Sequence, residues 1–291
     1  MKQGGGSPST PRPGQARAKR ARPGWIILAT AVFVLAAITA VIALGQRQFI
    51  YYPARFDPGP AAERFTTGQD VELHTDDGLT LKTWLVEPTT NPPDTAVLYA
   101  PGNGGNRVYR MEVAQAIADQ GYTVLMLEYR GYGDNPGSPS EEGLASDARA
   151  AAAYLREHGF PGDKTIYVGE SIGTGVVARL ATTDPPAGVL LRSPFSTLVE
   201  EANSLAWGLP IGLLLYDRFE TTNYITQIAA PVTVLCGKAD NFVPCTQSAK
   251  VAELAPNLHK FIEVDSVGHN DEIWFGPYLA TQVDDLAKVA I

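Results

Sequence analysis

A serine between two glycines marks the point in the chain where residue types most directly indicate chemistry. Residues 169–173, GESIG, follow the apolar run TIYV and precede the helix-forming run TGVVARLA. In a G-x-S-x-G turn between a strand and a helix, the serine hydroxyl projects from the end of the sheet. The serine also lies at a helix N-terminus, where the helix dipole favours developing negative charge. The pattern therefore predicts that Ser171 is a nucleophile.

A serine nucleophile requires a general base, which in this arrangement is a histidine further along the chain. Two histidines follow Ser171. His259 begins a predicted strand, and we expect it to be exposed at the end of that strand. His269 lies in SVGHND, between the predicted strand FIEVD and the last predicted helix. Gly268 permits this loop to bend inward, so His269 is the predicted base.

The acid that orients the base is expected between the serine and the histidine, in the loop after the preceding strand. That strand is PVTVLCG, and the loop after it contains Asp240. Asp265 and Asp271 lie nearer to His269 in the sequence but are weaker candidates. Asp265 ends its own strand, and Asp271 is expected to help cap the last helix. Asp240 is therefore the predicted acid.

The oxyanion that forms during acyl transfer requires backbone N–H donors. One predicted donor is the N–H of Ile172, the residue after the nucleophile. The other is the N–H of Asn103, in the glycine-rich loop 101–106 (PGNGGN) that follows the apolar run TAVLYA. A phosphate-binding role for this loop is an alternative, but the loop lacks the lysine and the spacing of a P-loop.

The order of apolar segments predicts the fold that positions these residues. VELHT and LTLKTWLVE alternate around Asp76-Asp77-Gly78 and indicate a hairpin. Short apolar runs then alternate with helical stretches, which is typical of a parallel sheet covered on both faces. The runs are TAVLYA, TVLMLE, TIYVG, GVLLR, PVTVLCG and FIEVD, with helices expected near 107–120, 141–158, 172–182, 246–254 and 271–289. We predict one α/β domain over residues 67–291, with a mostly parallel sheet and an antiparallel edge strand.

An insertion interrupts this alternation between the runs GVLLR and PVTVL. We predict a small helical lid there, over about residues 195–228, above the carboxyl ends of the strands where open α/β sheets bind ligands. The apolar side chains of the insertion suit an acyl chain, and packing onto the sheet explains them equally well. They are Leu205, Trp207, Leu209, Ile211, Leu213, Leu214, Leu215 and Tyr216.

The N-terminal region has the composition of a membrane anchor. Residues 1–24 contain six basic side chains and no acidic one, and we expect them to be a disordered tail. Residues 25–44 are twenty positions without a charge, long enough as a helix to span about 30 Å of hydrocarbon. The basic residues precede the span, which predicts a cytoplasmic N-terminus and an extracytoplasmic body. A cleaved signal peptide is the alternative, although its apolar region is usually shorter. Residues 45–66 are predicted to be a loosely packed linker.

The charge and the cysteine count limit the classes of partner and cofactor. The chain carries a net charge of -8 even with its basic tail, which disfavours nucleic acid as a partner. Cys236 and Cys245 flank the predicted loop of Asp240, and a disulfide between them would pin that loop. Two buried thiols are an equally good interpretation. Two cysteines cannot build a zinc cage, and we expect neither a metal nor an organic cofactor.

The combined motifs resemble the α/β-hydrolase superfamily, in the branch of membrane-anchored hydrolases related to serine aminopeptidase-type domains. The resemblance covers residues 47–291 and implies the α/β-hydrolase fold and the triad of Ser171, Asp240 and His269. The matching segments are 51–53 (YYP), 101–106, 128–133 (EYRGYG), 137–143 (GSPSEEG), 169–173, 240–244 and 268–271. The chain departs from the pattern at Pro101, where relatives usually have histidine. Since proline has no N–H, this departure is expected to alter the support of the oxyanion loop.

Residues 129–133 are predicted to be structural, with Arg130 paired to Glu128 or Asp147. Contact between Tyr132 and the substrate is the functional alternative for this segment.

The triad and the anchor together predict hydrolysis of a carboxylic ester or thioester, on a small-molecule or lipid-like acyl substrate. A peptidase with the same triad is one alternative, and a non-catalytic, membrane-tethered binding module on the same scaffold is another. The presence of all three triad residues in order argues against the binding module. None of the residues discussed supports a haloperoxidase or lyase activity, and the sequence does not indicate the oligomeric state.

Overall fold

The computed structural model describes residue 1 and residues 23–89, 94–205 and 214–291. Most of the predicted basic tail therefore lies outside the described residues. The same is true of part of the predicted lid, namely Trp207, Leu209, Ile211 and Leu213. The chain divides into two compact units, Met1–Leu44 and Gly45–Ile291.

The first unit consists, in its described part, of the apolar portion of helix α1 (Pro23–Ile50). The segment Gly24–Ile50 has a mean hydropathy of 2.8 in its most apolar window, and large side chains such as Trp25 and Phe33 are exposed. By length and composition this helix can cross a membrane, and an N-terminal signal sequence would meet the same criteria. The predicted anchor, residues 25–44, lies within it.

The second unit is built on an eight-stranded sheet with the spatial order β10-β9-β8-β7-β4-β6-β3-β2 in the described residues. The hairpin of β2 and β3 is antiparallel, β3 also runs antiparallel to β6, and the other pairs are parallel. The strands are β2 (Gly68–His74), β3 (Thr80–Val86), β4 (Ala96–Ala100), β6 (Thr123–Met126), β7 (Thr165–Glu170), β8 (Gly188–Arg192), β9 (Val232–Gly237) and β10 (Leu258–Val264). This is the mostly parallel sheet with an antiparallel edge that the sequence predicts.

Helices cover both faces of the sheet. Successive side chains of a strand point to opposite faces, and in the central strands both sets are apolar. Leu98 and Leu125 belong to one apolar cluster, whereas their neighbours Val97 and Val124 belong to the other. The first cluster includes side chains of α3 (Glu141–Glu157), α4 (Ile172–Ala181), α6 (Thr221–Ile225) and α7 (Cys245–Leu254). The second includes side chains of α2 (Met111–Ala118) and α8 (Pro277–Ala290). The described part of the predicted lid contains α5 (Leu198–Leu205) and α6.

Strand register brings the predicted site residues to one edge of the sheet. Ala100 of β4 pairs with Gly169 of β7, and Glu170 of β7 pairs with Arg192 of β8. The loops that follow these parallel strands therefore begin side by side. The carboxyl edge of a parallel sheet is where open α/β folds gather their ligand-binding loops.

The segment after the predicted anchor packs more firmly than the sequence predicts. Residues 45–66 were expected to form a loose linker, but Tyr51, Ala61 and Phe65 are buried. β1 (Tyr52–Pro53) pairs in parallel with β5 (Gly104–Gly105), and the Phe65 ring packs edge-on against Trp84 at 5.8 Å. The prolines of this segment lie where only short elements occur, from β1 to the 3-10 turn at Ala61–Glu63, although residues 45–50 still belong to α1. They do not prevent the apolar side chains between them from entering the core.

Two predicted helices begin later than expected. The helix predicted near 107–120 starts with a 3-10 turn at Arg107–Arg110 before α2. The helix predicted over 271–289 is divided into a 3-10 turn at Glu272–Phe275 and then α8. Pro277 is the first residue of α8, a position where the missing N–H has no intrahelical partner to lose.

Candidate active site

Ser171 lies on a sharp turn between β7 and α4. Its backbone has φ 52° and ψ -115°, in the positive-φ region that costs energy for any residue with a side chain. The flanking glycines are required by close approach. A Cβ on Gly173 would lie 2.2 Å from the Ala100 carbonyl oxygen, and one on Gly169 would lie 2.6 Å from the Gly173 carbonyl oxygen.

Backbone hydrogen bonds hold this strained turn from both sides. The Ser171 N–H donates to the Arg192 carbonyl at 2.9 Å, which ties the turn to the neighbouring strand β8. The Ser171 carbonyl accepts from the N–H of Thr174 at 3.0 Å and from its hydroxyl at 2.6 Å. The conformation that presents the serine side chain is therefore fixed by the fold.

The glycine-rich loop after β4 lies directly against this turn. A Cβ on Gly102 would be 2.8 Å from Glu170 Oε1 and 3.6 Å from Ser171 Cβ. Pro101 cannot donate, but its carbonyl accepts from the Tyr129 hydroxyl at 2.9 Å. The loop is therefore supported from below by a buried tyrosine.

Asn103 is held by three contacts that do not involve its backbone N–H. Its carbonyl accepts from the Tyr52 N–H at 2.9 Å and from the Tyr132 hydroxyl at 2.7 Å, and its side-chain amide donates to the Ile50 carbonyl at 2.7 Å. The Asn103 N–H makes no hydrogen bond to any residue that the structure describes. Ile172, the first residue of α4, likewise has an N–H without an intrahelical partner.

Asp240 and His269 come together across two loops, after β9 and after β10. The distance from His269 Nδ1 to Asp240 Oδ2 is 2.6 Å. The second oxygen of Asp240 accepts from the N–H groups of Phe242 at 2.9 Å and Val243 at 2.8 Å. Burial of Asp240 raises its pKa, but the interactions with His269 and the two N–H groups lower it by more, so the pKa lies below its ordinary value. A proton on Nδ1 facing this carboxylate leaves Nε2 as the acceptor of the ring.

The loop that carries His269 is closed by two hydrogen bonds at Gly268, the residue before it. The Gly268 N–H donates to Asp271 at 2.8 Å, and the Gly268 carbonyl accepts from the Trp274 indole at 2.8 Å. The prediction that Asp271 caps the last helix is wrong, since its carboxylate turns back to Gly268 and α8 begins only at Pro277. The Phe242 ring is exposed and lies 5.7 Å from the His269 ring.

The competing residues are engaged in other contacts. His259 lies 3.0 Å from Asp285 and is partly buried within β10, rather than exposed at its end. Asp265 forms an ion pair with Lys238 at 2.9 Å.

The two cysteines are joined by a disulfide in the structure. Cys236 lies near the end of β9 and Cys245 begins α7, with their Cα atoms 5.4 Å apart. The bridge therefore spans the base of the loop that carries Asp240. Among the described residues, Cys236, Cys245 and Glu263 are the one group with the spacing of metal ligands, but both sulfurs are bonded to each other.

A buried ionic cluster lies beneath the site, and sequence reasoning did not find it. The carboxylate of Glu170, the residue before Ser171, contacts Arg110 at 2.6 Å and Arg192 at 2.8 Å, and accepts from the Tyr99 hydroxyl at 2.8 Å. Burial raises the pKa of Glu170, but the two guanidinium charges and the hydrogen bonds lower it to about 2. The available signal was a charged residue at the end of each of two otherwise apolar strands.

The segment 129–133 contributes support to the neighbouring loops. Arg130 pairs with Asp77 at 2.6 Å and Asp147 at 2.7 Å. Of the two predicted partners, Asp147 is therefore the one that the structure contains, whereas Glu128 pairs with Arg107 at 3.0 Å. Tyr132 is buried and its hydroxyl binds Asn103, so its observed contact is with the loop.

Comparisons with known proteins give one consistent result. A family model described as the alpha/beta hydrolase fold matches residues 95–210. The protein Rv2307c of Mycobacterium tuberculosis is 40% identical over 245 residues, which are 81% of this chain and 87% of that protein. The lysophosphatidylserine lipase ABHD12 of Danio rerio is 32% identical over 222 residues, or 66% of this chain and 58% of that protein.

The fold also has solved counterparts. An esterase of Pyrococcus furiosus matches with a TM-score of 0.66 at 20% identity, covering 82% of this chain and 97% of the esterase chain. At this identity the similarity concerns the fold alone.

Proposed function

Because the chain belongs to the α/β-hydrolase family, we propose that it is a serine hydrolase with Ser171 as nucleophile, His269 as base and Asp240 as orienting acid. The observation that carries this proposal is the 2.6 Å contact between His269 Nδ1 and Asp240 Oδ2. A buried carboxylate at that distance fixes both the ring orientation and the tautomer that an acyl-transfer base requires. The strained backbone of Ser171 supports the same assignment.

The proposed reaction has two steps. In the first, the Ser171 hydroxyl attacks the acyl carbonyl while His269 Nε2 accepts its proton, and the same nitrogen then protonates the leaving group. The N–H groups of Asn103 and Ile172 stabilise the oxyanion. In the second, His269 Nε2 accepts a proton from a water molecule that attacks the acyl carbonyl, and the nitrogen returns the proton to the Ser171 oxygen as the acid leaves. Asp240 stabilises the imidazolium in both steps.

We infer that the substrate is a carboxylic ester or a thioester with a lipid-like acyl group. The relative from Danio rerio, a lysophosphatidylserine lipase, supports this class. The exposed Phe242 beside His269 and the half-buried Leu215 of the predicted lid supply apolar surface for an acyl chain. Peptide hydrolysis with the same triad remains the alternative chemistry. A non-catalytic binding module is disfavoured by the hydrogen-bonded Asp240 and His269 pair.

We further propose that residues 25–44 anchor the protein with its N-terminus in the cytoplasm and residues 67–291 on the other side. The apolar helix and the basic residues before it support this topology. The disulfide between Cys236 and Cys245 agrees with it, because such bonds persist in oxidising compartments.

The test is hydrolysis by the full-length protein in detergent or vesicles. Substrates are p-nitrophenyl esters of increasing acyl length, an acyl thioester, lysophosphatidylserine and a peptide amide. We expect ester or thioester turnover that is lost in Ser171→Ala. Hydrolysis of the peptide amide alone would replace the ester assignment with the peptidase one. A folded wild type without any turnover would favour the binding module.

A further inference from the structure

Arg192, at the end of β8, contacts both the nucleophile turn and the base loop. Its carbonyl accepts from the Ser171 N–H at 2.9 Å. Its guanidinium donates from Nη1 to the His269 carbonyl at 2.7 Å, and Nη2 lies 2.8 Å from Glu170 Oε1. The side chain is only 1% exposed. One buried residue therefore connects the backbone of the nucleophile to the backbone of the base.

The surroundings of Arg192 restrict where its guanidinium can lie. The guanidinium carbon is 5.8 Å from the ring centroids of Trp274 and Phe275, in the turn that follows His269. Trp274 itself donates to Gly268, the residue before the base. The side chain thus packs against the same loop to which it donates.

Arg110 provides the comparison that separates this role from simple charge balance. It binds the same carboxylate, Glu170, through Nε at 2.7 Å and Nη2 at 2.6 Å, and its guanidinium lies 5.0 Å from the Phe275 ring. The Arg110 guanidinium hydrogen bonds to Glu170, whereas the Arg192 guanidinium forms an ion pair with Glu170 and also donates a hydrogen bond to His269. Arg110 alone reaches both oxygens of the buried carboxylate.

Burying a cation costs desolvation free energy, which its partners must offset. A hydrogen bond to one carbonyl would not require a charged donor. A guanidinium differs from a neutral donor in that its planar fork can bind two groups in a fixed relative geometry. Here Nη1 hydrogen bonds to the main chain of His269, and Nη2 forms an ion pair with Glu170, the residue before Ser171. We propose that Arg192 is a positioning residue, which keeps the base loop in register with the nucleophile turn.

This inference rests on the proposed function and adds a residue that fixes the geometry of the proposed active site. Arg192 does not touch the reacting atoms. It prevents the His269 main chain from shifting when the ring gains a proton from Ser171, so that the distance between base and nucleophile is preserved. A displacement of about 1 Å in such a site costs on the order of 100-fold in rate.

The test compares Arg192→Met with Arg110→Met in the full-length protein. Both variants remove one positive charge, and each leaves one arginine paired with Glu170. We expect Arg192→Met to lower kcat about 100-fold, per active site titrated with a fluorophosphonate, with KM changed by less than about threefold. Arg110→Met should lose a similar amount of thermal stability but keep kcat within about threefold of wild type.

A second variant covers the case in which Arg192→Met does not fold. Arg192→Lys keeps the charge for Glu170 but replaces the planar fork with a single ammonium, so we expect normal folding and a reduced kcat. Equal losses of kcat in the Arg192 and Arg110 variants, or an unchanged kcat in a folded Arg192 variant, would overturn the positioning role alone. A folded wild type without hydrolysis or probe labelling would refute the proposed function and this role together.

Discussion

Replacing Asp240 with asparagine tests the orienting role that we propose for its carboxylate. Oδ1 of Asp240 accepts two backbone N–H groups, from Phe242 and Val243. An asparagine must keep its oxygen at that position, because its NH₂ group would otherwise face two donors. Its NH₂ group then faces His269 Nδ1 and donates to it, so the ring must carry its proton on Nε2. In that tautomer Nε2 cannot accept the proton of Ser171.

We therefore expect Asp240→Asn to lower kcat by about 10⁴-fold, as the wrong tautomer does in a triad, or about 5 kcal/mol of transition-state stabilisation. The loop hydrogen bonds survive, so stability should fall by only about 1–2 kcal/mol. The assay is p-nitrophenyl ester hydrolysis, with melting temperature measured in parallel. Asp271→Asn is the matched control, since Asp271 binds Gly268 in the base loop without touching the ring. A kcat for Asp240→Asn within tenfold of wild type would refute the reasoning.

Three further predictions concern stability and the oxyanion loop. Replacing both Cys236 and Cys245 with serine should lower the free energy of unfolding by about 2.5 kcal/mol, the chain-entropy value for so short a loop. Urea titrations measure this difference, and equal midpoints for the variant and wild type would contradict it. Glu170 has a folded pKa of about 2 against an ordinary 4.5, so its contribution to stability is complete above the ordinary value and is lost as pH falls towards the folded one. Urea midpoints across that range should fall more steeply in wild type than in Glu170→Gln, and equal losses would contradict this prediction. Tyr132→Phe removes a hydroxyl donor to the Asn103 carbonyl. It should lower the free energy of unfolding by about 1 kcal/mol and lower kcat with little change in KM. A higher KM at constant kcat would instead indicate that Tyr132 contacts the substrate.

Local sequence patterns were sufficient for the sheet and for the elements that flank Ser171. The short apolar runs and the G-x-S-x-G turn depend on residues adjacent in sequence, where periodicity and turn chemistry apply directly. Chain order predicted that Asp240 and His269 would meet, because parallel strands deliver their loops to the same edge of the sheet.

Contacts between segments that are far apart in the sequence could not be predicted from such local patterns. The cationic partners of Glu170 are Arg110, in the 3-10 turn before α2, and Arg192, at the end of β8. No local sequence pattern distinguishes a buried ion pair of this kind from a solvated charge. Asp271 was expected at a helix N-terminus, but the helix began later and the carboxylate closed its own loop instead. The proline-rich segment around Tyr52 was expected to be loose. It is held instead by pairing with Gly104, which lies in a loop far along the chain and cannot be identified from the segment itself.

The central claim is that Ser171 is an activated nucleophile, and the most direct test is to map a fluorophosphonate adduct on the full-length protein by mass spectrometry. We predict one adduct, on Ser171, in the folded wild type. It should be absent in Ser171→Ala and strongly slowed in His269→Ala, while Asp271→Asn labels like wild type. An unlabelled but folded wild type, or an adduct on a different residue, would contradict the account.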